Sequence, residues 1–180
     1  MSTVQAHPAV TVADAVPASA IAALLARHAI AHIQHHHVAV RTIAEAHAQV
    51  PQLTVDLLKT VVFAIAGTPR VVLVAVACDA EVDYRQLARA LACSRRALRL
   101  LPPARVTAEL GFEVGGVGPF PIAPTIEVLI DDTIAPEARV KVGGGCATVT
   151  IELRLAELLR LDGVRAAAVA RPGPTMAAGA

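Results

Sequence analysis

Residues 55–78, VDLLKTVVFAIAGTPRVVLVAVAC, contain two apolar runs separated by a Gly-Thr-Pro turn. Short β-branched runs broken by glycine and proline read as strands, so LLKTVVFAIAG and RVVLVAVAC are expected to pair as a β-hairpin. Helical and extended segments alternate around it. Ala18 to His28 has a helical stripe at Ile21, Leu24 and Leu25, AHIQHHHVAV reads as extended, and Thr42 with Glu45 forms a capping-box pattern at the head of TIAEAHAQV. Asp83 caps YRQLARALAC, ALRLL is a short strand, and Pro102-Pro103 open a helix that stops at Gly111. TIEVLID, ARVKV and ATVTIEL read as strands and LAELLRL as a last helix. No regular βαβ repeat joins these elements, which predicts an α/β fold with a mixed sheet and helices around it.

The chain has 180 residues, 55% hydrophobic and only 2% aromatic, enough for one domain whose core is built from small aliphatic side chains. That domain is expected over 19–164, with Ala/Pro/Gly-biased disordered tails at 1–18 and 165–180. So few rings argue against an aromatic platform for single-stranded nucleic acid. The apolar run Val71 to Cys78 falls far short of the roughly 20 residues a membrane helix needs. No Lys or Arg precedes Arg27, so a charged signal opening is lacking. Three cysteines without paired spacing fit reduced thiols and a cytoplasmic protein.

The stretch GFEVGGVGPFP, 111–121, specifies backbone shape while offering few reactive side chains. Its Gly115-Gly116-Val117-Gly118-Pro119 segment has a G-x-x-x-P frame whose N–H groups suit a carbonyl or small anion. It is neither a P-loop nor a dinucleotide fingerprint, and no cofactor is expected. A second cluster, Gly143-Gly144-Gly145-Cys146, lies between two strands. Lys59 is one of two lysines against fourteen arginines. It shares a strand face with Leu57, Val61, Phe63 and Ile65, either snorkelling or standing at a cleft mouth.

Residues 84–108 carry Arg85, Arg89, Arg95, Arg96, Arg99 and Arg105 and only basic charge, a field that suits an RNA backbone or forms a plain solvated face. His35 and His37 share one face of their strand and form a candidate metal pair, though no local third ligand completes it. Cys146 is the best nucleophile candidate, and Asp131-Asp132 ends a strand where carboxylates serve either chemistry or a turn.

In order and spacing, KTVVFAIAG, VVLVAVAC, GFEVGGVGPF, VLIDD and VGGG before TIEL resemble the YbaK/prolyl-tRNA synthetase-associated editing domain family over about residues 30–162. The resemblance implies a mixed, barrel-like core surrounded by helices. It also implies a trans-editing aminoacyl-tRNA deacylase that hydrolyses the ester of a small amino acid such as Cys, Ala or Ser on tRNA-Pro or a related tRNA. Lys59 and the backbone of Gly115 to Pro119 are then catalytic, with Thr60, Phe120, Asp131, Gly143, Gly144, Gly145 and Cys146 around the substrate. Arg85, Arg89, Arg95 and Arg96 are expected to meet tRNA. A synthetase is a further partner, a membrane is not, and the protein is expected as a monomer or weak homodimer. Two rivals stand beside this reading: a non-catalytic tRNA- or synthetase-binding module, and a metal-dependent hydrolase using His35 and His37.

Overall fold

The computed structural model describes residues 17–171. Helix α1 (Pro17–Arg27) leads to strand β1 (His32–His36), helix α2 (Ile43–Gln49) and a 3₁₀ turn (Pro51–Leu53). Then come β2 (Leu58–Ile65), β3 (Val71–Ala77), β4 (Glu81–Val82), α3 (Tyr84–Ala90), a second 3₁₀ turn (Arg95–Ala97), β5 (Leu98–Leu100) and α4 (Pro103–Leu110). The chain continues through β6 (Ile126–Asp131), β7 (Arg139–Gly143), β8 (Val149–Arg154), α5 (Leu155–Leu159), β9 (Val164–Ala167) and β10 (Ala170–Arg171).

The expected hairpin forms the centre of a five-stranded sheet in the order β5-β2-β3-β6-β9. β2 and β3 are antiparallel from the Leu58–Ala77 pair to the Ala64–Val71 pair. β6 joins β3, and β9 joins β6, in parallel, so the sheet is mixed. Every residue from Val71 to Val76 is buried because layers cover both faces of β3. Leu58, Val62, Leu73 and Ile130 point to α1, α4 and a second sheet, β1-β8-β7. Phe63, Ile65, Val74 and Leu129 point instead to Leu87 of α3 and Leu91 just after it.

Local signals set the helix starts. Thr42 Oγ1 accepts the Glu45 N–H at 3.1 Å, and the Glu45 carboxylate accepts the Arg41 N–H at 2.8 Å, one residue earlier than a standard capping box. Asp83 accepts the N–H groups of Arg85 and Gln86. The Gln86 and then the Arg85 amide hold its carboxyl below the ordinary value. That contribution to stability is present above the unfolded-state value and is lost as pH falls through the lowered one.

The expected mixed core surrounded by helices is present, and it stays open: Leu57, just before β2, forms an isolated bridge to Lys141 of β7, and β5 and β9 end the large sheet. The expected tails need correction: Pro17 and Ala18 already belong to α1. The C-terminal tail does not begin at 165, because β9 forms a parallel ladder with β6 and β10 pairs with β4. Alanine-rich RAAAVAR carries no strand pattern of its own, and non-local pairing supplies it. The rest of the expected tails, 1–16 and 172–180, lies outside the described residues.

Candidate functional site

The site begins with an interruption in the large sheet. β5 accompanies β2 through the Ile65–Leu98, Ala64–Arg99 and Phe63–Leu100 pairs, and the Leu101 N–H then reaches the Val62 carbonyl at 2.9 Å. Continued one rung, this register would set Pro103 against Thr60. Proline has no N–H to give, and here the chain turns away into α4. Towards the start of β2, β7 forms only an isolated bridge, at Leu57, before the strand begins. Among the described residues, the edge of β2 at Thr60 therefore has no ladder partner.

Two glycine loops close over that edge and are fastened to each other. The Gly145 N–H donates to the Gly116 carbonyl at 2.8 Å, the Glu113 N–H to the Gly145 carbonyl at 3.2 Å, and the Ala147 N–H to the Glu113 carboxylate at 2.9 Å. The contact demands bare backbone. A Cβ on Gly118 would lie 2.0 Å from the Gly143 oxygen, and one on Gly116 would lie 2.5 Å from the Cys146 backbone. The N–H groups of Gly115, Val117 and Gly118 find no acceptor among the described residues.

A cavity of about 550 Å³, within the usual range of small-molecule sites, opens between the β2 edge and these loops. Lys59, Thr60, Gly115, Val117 and Gly143 all line it. Its walls are largely apolar, from α2 (Ile43, Ala46), from Val50 and Leu53, and from Val106 of α4. Leu100 and Val114, 54% and 39% exposed, stand where the cavity reaches the surface. Lys59 is half-buried and has no hydrogen bond or ion pair with any described residue. Its charge is felt at Cys78, where it opposes burial and Asp79, which push that thiol up.

Other predicted site residues support the cavity from outside. Gly116, Gly118, Gly144, Gly145 and Cys146 do not line it; Gly116 and Gly118 fit the loops together, Gly144 packs against Val149 and Gly145 against the start of α1, and the Cys146 sulfur meets the Thr148 hydroxyl at 3.5 Å. Pro119 is buried behind the loop, and Phe120 belongs wholly to the core. Asp131 does not line the cavity either. Its carboxylate accepts the Val169 and Ala170 N–H groups at 3.2 and 3.0 Å and the Thr133 hydroxyl, holding the approach to β10. Asp131→Ala is expected to lower stability by about 1–3 kcal/mol, since two amides lose their acceptor. Thermal melting checks this, and an unchanged melting temperature would refute it.

The histidines make protein contacts. His35 Nε2 meets the Glu152 carboxylate at 2.9 Å, and His37 Nε2 meets the Thr150 hydroxyl at 3.0 Å. His37 Nδ1 lies 2.7 Å from the Val38 carbonyl, so in the neutral ring it carries the proton and Nε2 accepts from Thr150. Glu152 is held below its ordinary value, first by Arg139 and then by His35. Among the described residues no three His, Cys, Asp or Glu side chains form a metal-ligating group. Arg85 and Arg89 on α3, with Arg95 and Arg96 on the next turn, are exposed and make no ion pair with a described residue. That turn runs directly into β5, whose Leu100 lines the cavity.

Sequence reasoning missed Glu113, Arg41 and Thr150. All three line the cavity, but only the meeting of distant segments gives them that position. No described helix is long and apolar enough to cross a membrane.

Fold and cavity together define an α/β domain with an apolar-walled cavity between two glycine loops and a sheet edge, near a basic surface. The chain belongs to the aminoacyl-tRNA editing domain family, whose model matches residues 37–161. Solved structures share the fold. The hypothetical protein APE2540 superposes with a TM-score of 0.73 at 22% identity, over 84% of this chain and 99% of that one. A protein described as a candidate trans-editing enzyme for prolyl tRNA synthetase superposes with a TM-score of 0.68 at 21% identity, over 88% and 99%. No curated protein sequence matches the chain significantly.

Proposed function

We propose that the chain is a trans-acting deacylase that hydrolyses the ester between a small amino acid, such as Cys, Ala or Ser, and a mischarged tRNA, with tRNA-Pro or a related tRNA as carrier. The observation that carries this reading is the convergence of Lys59, the bare β2 edge and the glycine loops on one cavity. Membership of the editing family and the fold shared with a candidate trans-editing protein point the same way.

The chemistry needs no protein nucleophile. Water attacks the ester carbonyl carbon, negative charge collects on the carbonyl oxygen, and the unpaired N–H groups of Gly115 and Val117, both on the cavity lining, supply donors for it. Each donor at a developing oxyanion typically contributes about 3 kcal/mol. As the bond from acyl carbon to ribose oxygen breaks, that oxygen takes a proton from the attacking water by way of the neighbouring ribose hydroxyl. Free amino acid and deacylated tRNA result. Lys59 holds the terminal phosphate, and the apolar walls limit the acyl side chain. A synthetase pocket separates side chains by only about 1–3 kcal/mol per methylene, so a second sieve of this kind is useful.

Incubating the protein with Ala-, Cys- and Ser-charged proline and threonine tRNAs tests the reading. Release of at least one amino acid above the spontaneous rate is expected; binding without release would make the protein a recognition module instead. For the basic surface, Arg85→Glu with Arg89→Glu is expected to weaken tRNA binding and to reduce the salt slope by about 0.7–0.9 for each phosphate that the variant no longer neutralises. Affinity measured across a salt series checks this, and an unchanged slope would leave α3 as ordinary surface.

A further inference from the structure

We propose that the site requires a free α-amino group on its substrate and that Thr60 receives it; this rests on the deacylase reading above. Most polar groups offered to the cavity are donors: the unpaired loop amides, the Lys59 ammonium and the Arg41 guanidinium. Donors suit the carbonyl and phosphate oxygens of an aminoacyl-tRNA. The α-ammonium, on the carbon next to the reacting carbonyl, presents donors of its own and must be met by acceptors.

Acceptors are fewer, and one hydroxyl among them has no partner at all. Four threonines line the cavity. Thr42 accepts the Glu45 N–H, Thr107 donates to the Phe112 carbonyl at 2.8 Å, and Thr150 is joined to His37. Only the Thr60 hydroxyl, buried as it is, has no partner among these four. An unsatisfied buried hydroxyl is costly enough to need a reason, and a ligand is one. Thr60 also lies where β2 lacks a ladder, so its main-chain carbonyl adds a second acceptor at the same point. Glu113, whose carboxylate fastens the two loops, supplies the negative charge on the cavity lining. An acylated amino group would lose its charge and most of its donors there. The site thus accepts aminoacyl-tRNA and rejects N-acylated and peptidyl-tRNA.

The test compares an alanyl-tRNA with its N-acetyl form as substrates for the wild-type protein, Thr60→Val and Thr60→Ser. For the wild type, N-acetylation is expected to lower kcat/KM by at least about 100-fold, as expected when a site built to bond a polar group meets an analogue lacking it. Thr60→Val, close in shape, is expected to lose about 10–100-fold on the free-amino ester, mainly through KM, with little change on the N-acetyl ester. Thr60→Ser restores most of the loss. Equal hydrolysis of both esters by the wild type would overturn the inference and leave the deacylase standing. Turnover of neither ester, nor of any other charged tRNA, would remove both. A Thr60→Val protein that weakens both esters alike would assign Thr60 to packing and overturn its role.

Discussion

Gly118→Ala is expected to cost at least about 100-fold in kcat/KM, the effect of displacing an oxyanion donor. The added methyl carbon would stand 2.0 Å from the Gly143 oxygen and 2.8 Å from the Phe120 ring. Neither neighbour can yield easily, because Gly143 is part of β7 and Phe120 is fully buried. The loops must part, carrying the unpaired amides away from the carbonyl they are proposed to hold. Overpacking of this kind also destabilises by about 1–3 kcal/mol, so turnover is measured well below the melting temperature of the variant. Wild-type turnover by a folded Gly118→Ala protein would remove the loop from the mechanism.

Lys59→Ala is expected to lower kcat/KM by about 10–100-fold, the worth of one charge-assisted contact. Its folding should be unaffected, since the side chain is half-buried and bonded to nothing among the described residues. Lys59→Arg keeps the charge on a broader head and is expected to recover part of the loss. Steady-state deacylation with a melting curve separates these effects; full activity in Lys59→Ala would leave the ammonium a surface accident.

Elements with local causes were legible in the sequence. Asp83 and Thr42 cap helices because their oxygens reach amides two or three residues on, and the β2–β3 hairpin declares itself through two adjacent apolar runs. β9 and β10 were not legible, because their partners, β6 and β4, lie far away in sequence. The candidate site divides in the same way. Lys59 and the glycine clusters stand out by composition, whereas Glu113 gains its role only when Ala147 arrives from another loop. The apolar wall of Val40, Ala46, Val50 and Leu53 forms a small cluster of its own, and periodicity says that such residues are covered without saying by what. Asp131 reads as a reactive carboxylate at a strand end until the amides of Val169 and Ala170 are found on it.

The double proline after β5 has a further consequence. A bare margin on a sheet ordinarily recruits foreign strands and endangers solubility. Here the margin left at Thr60 faces a cavity whose lining includes residues of α2 and α4. One missing hydrogen atom, on the nitrogen of Pro103, thereby leaves that margin open to the proposed substrate instead of to a further rung of β5.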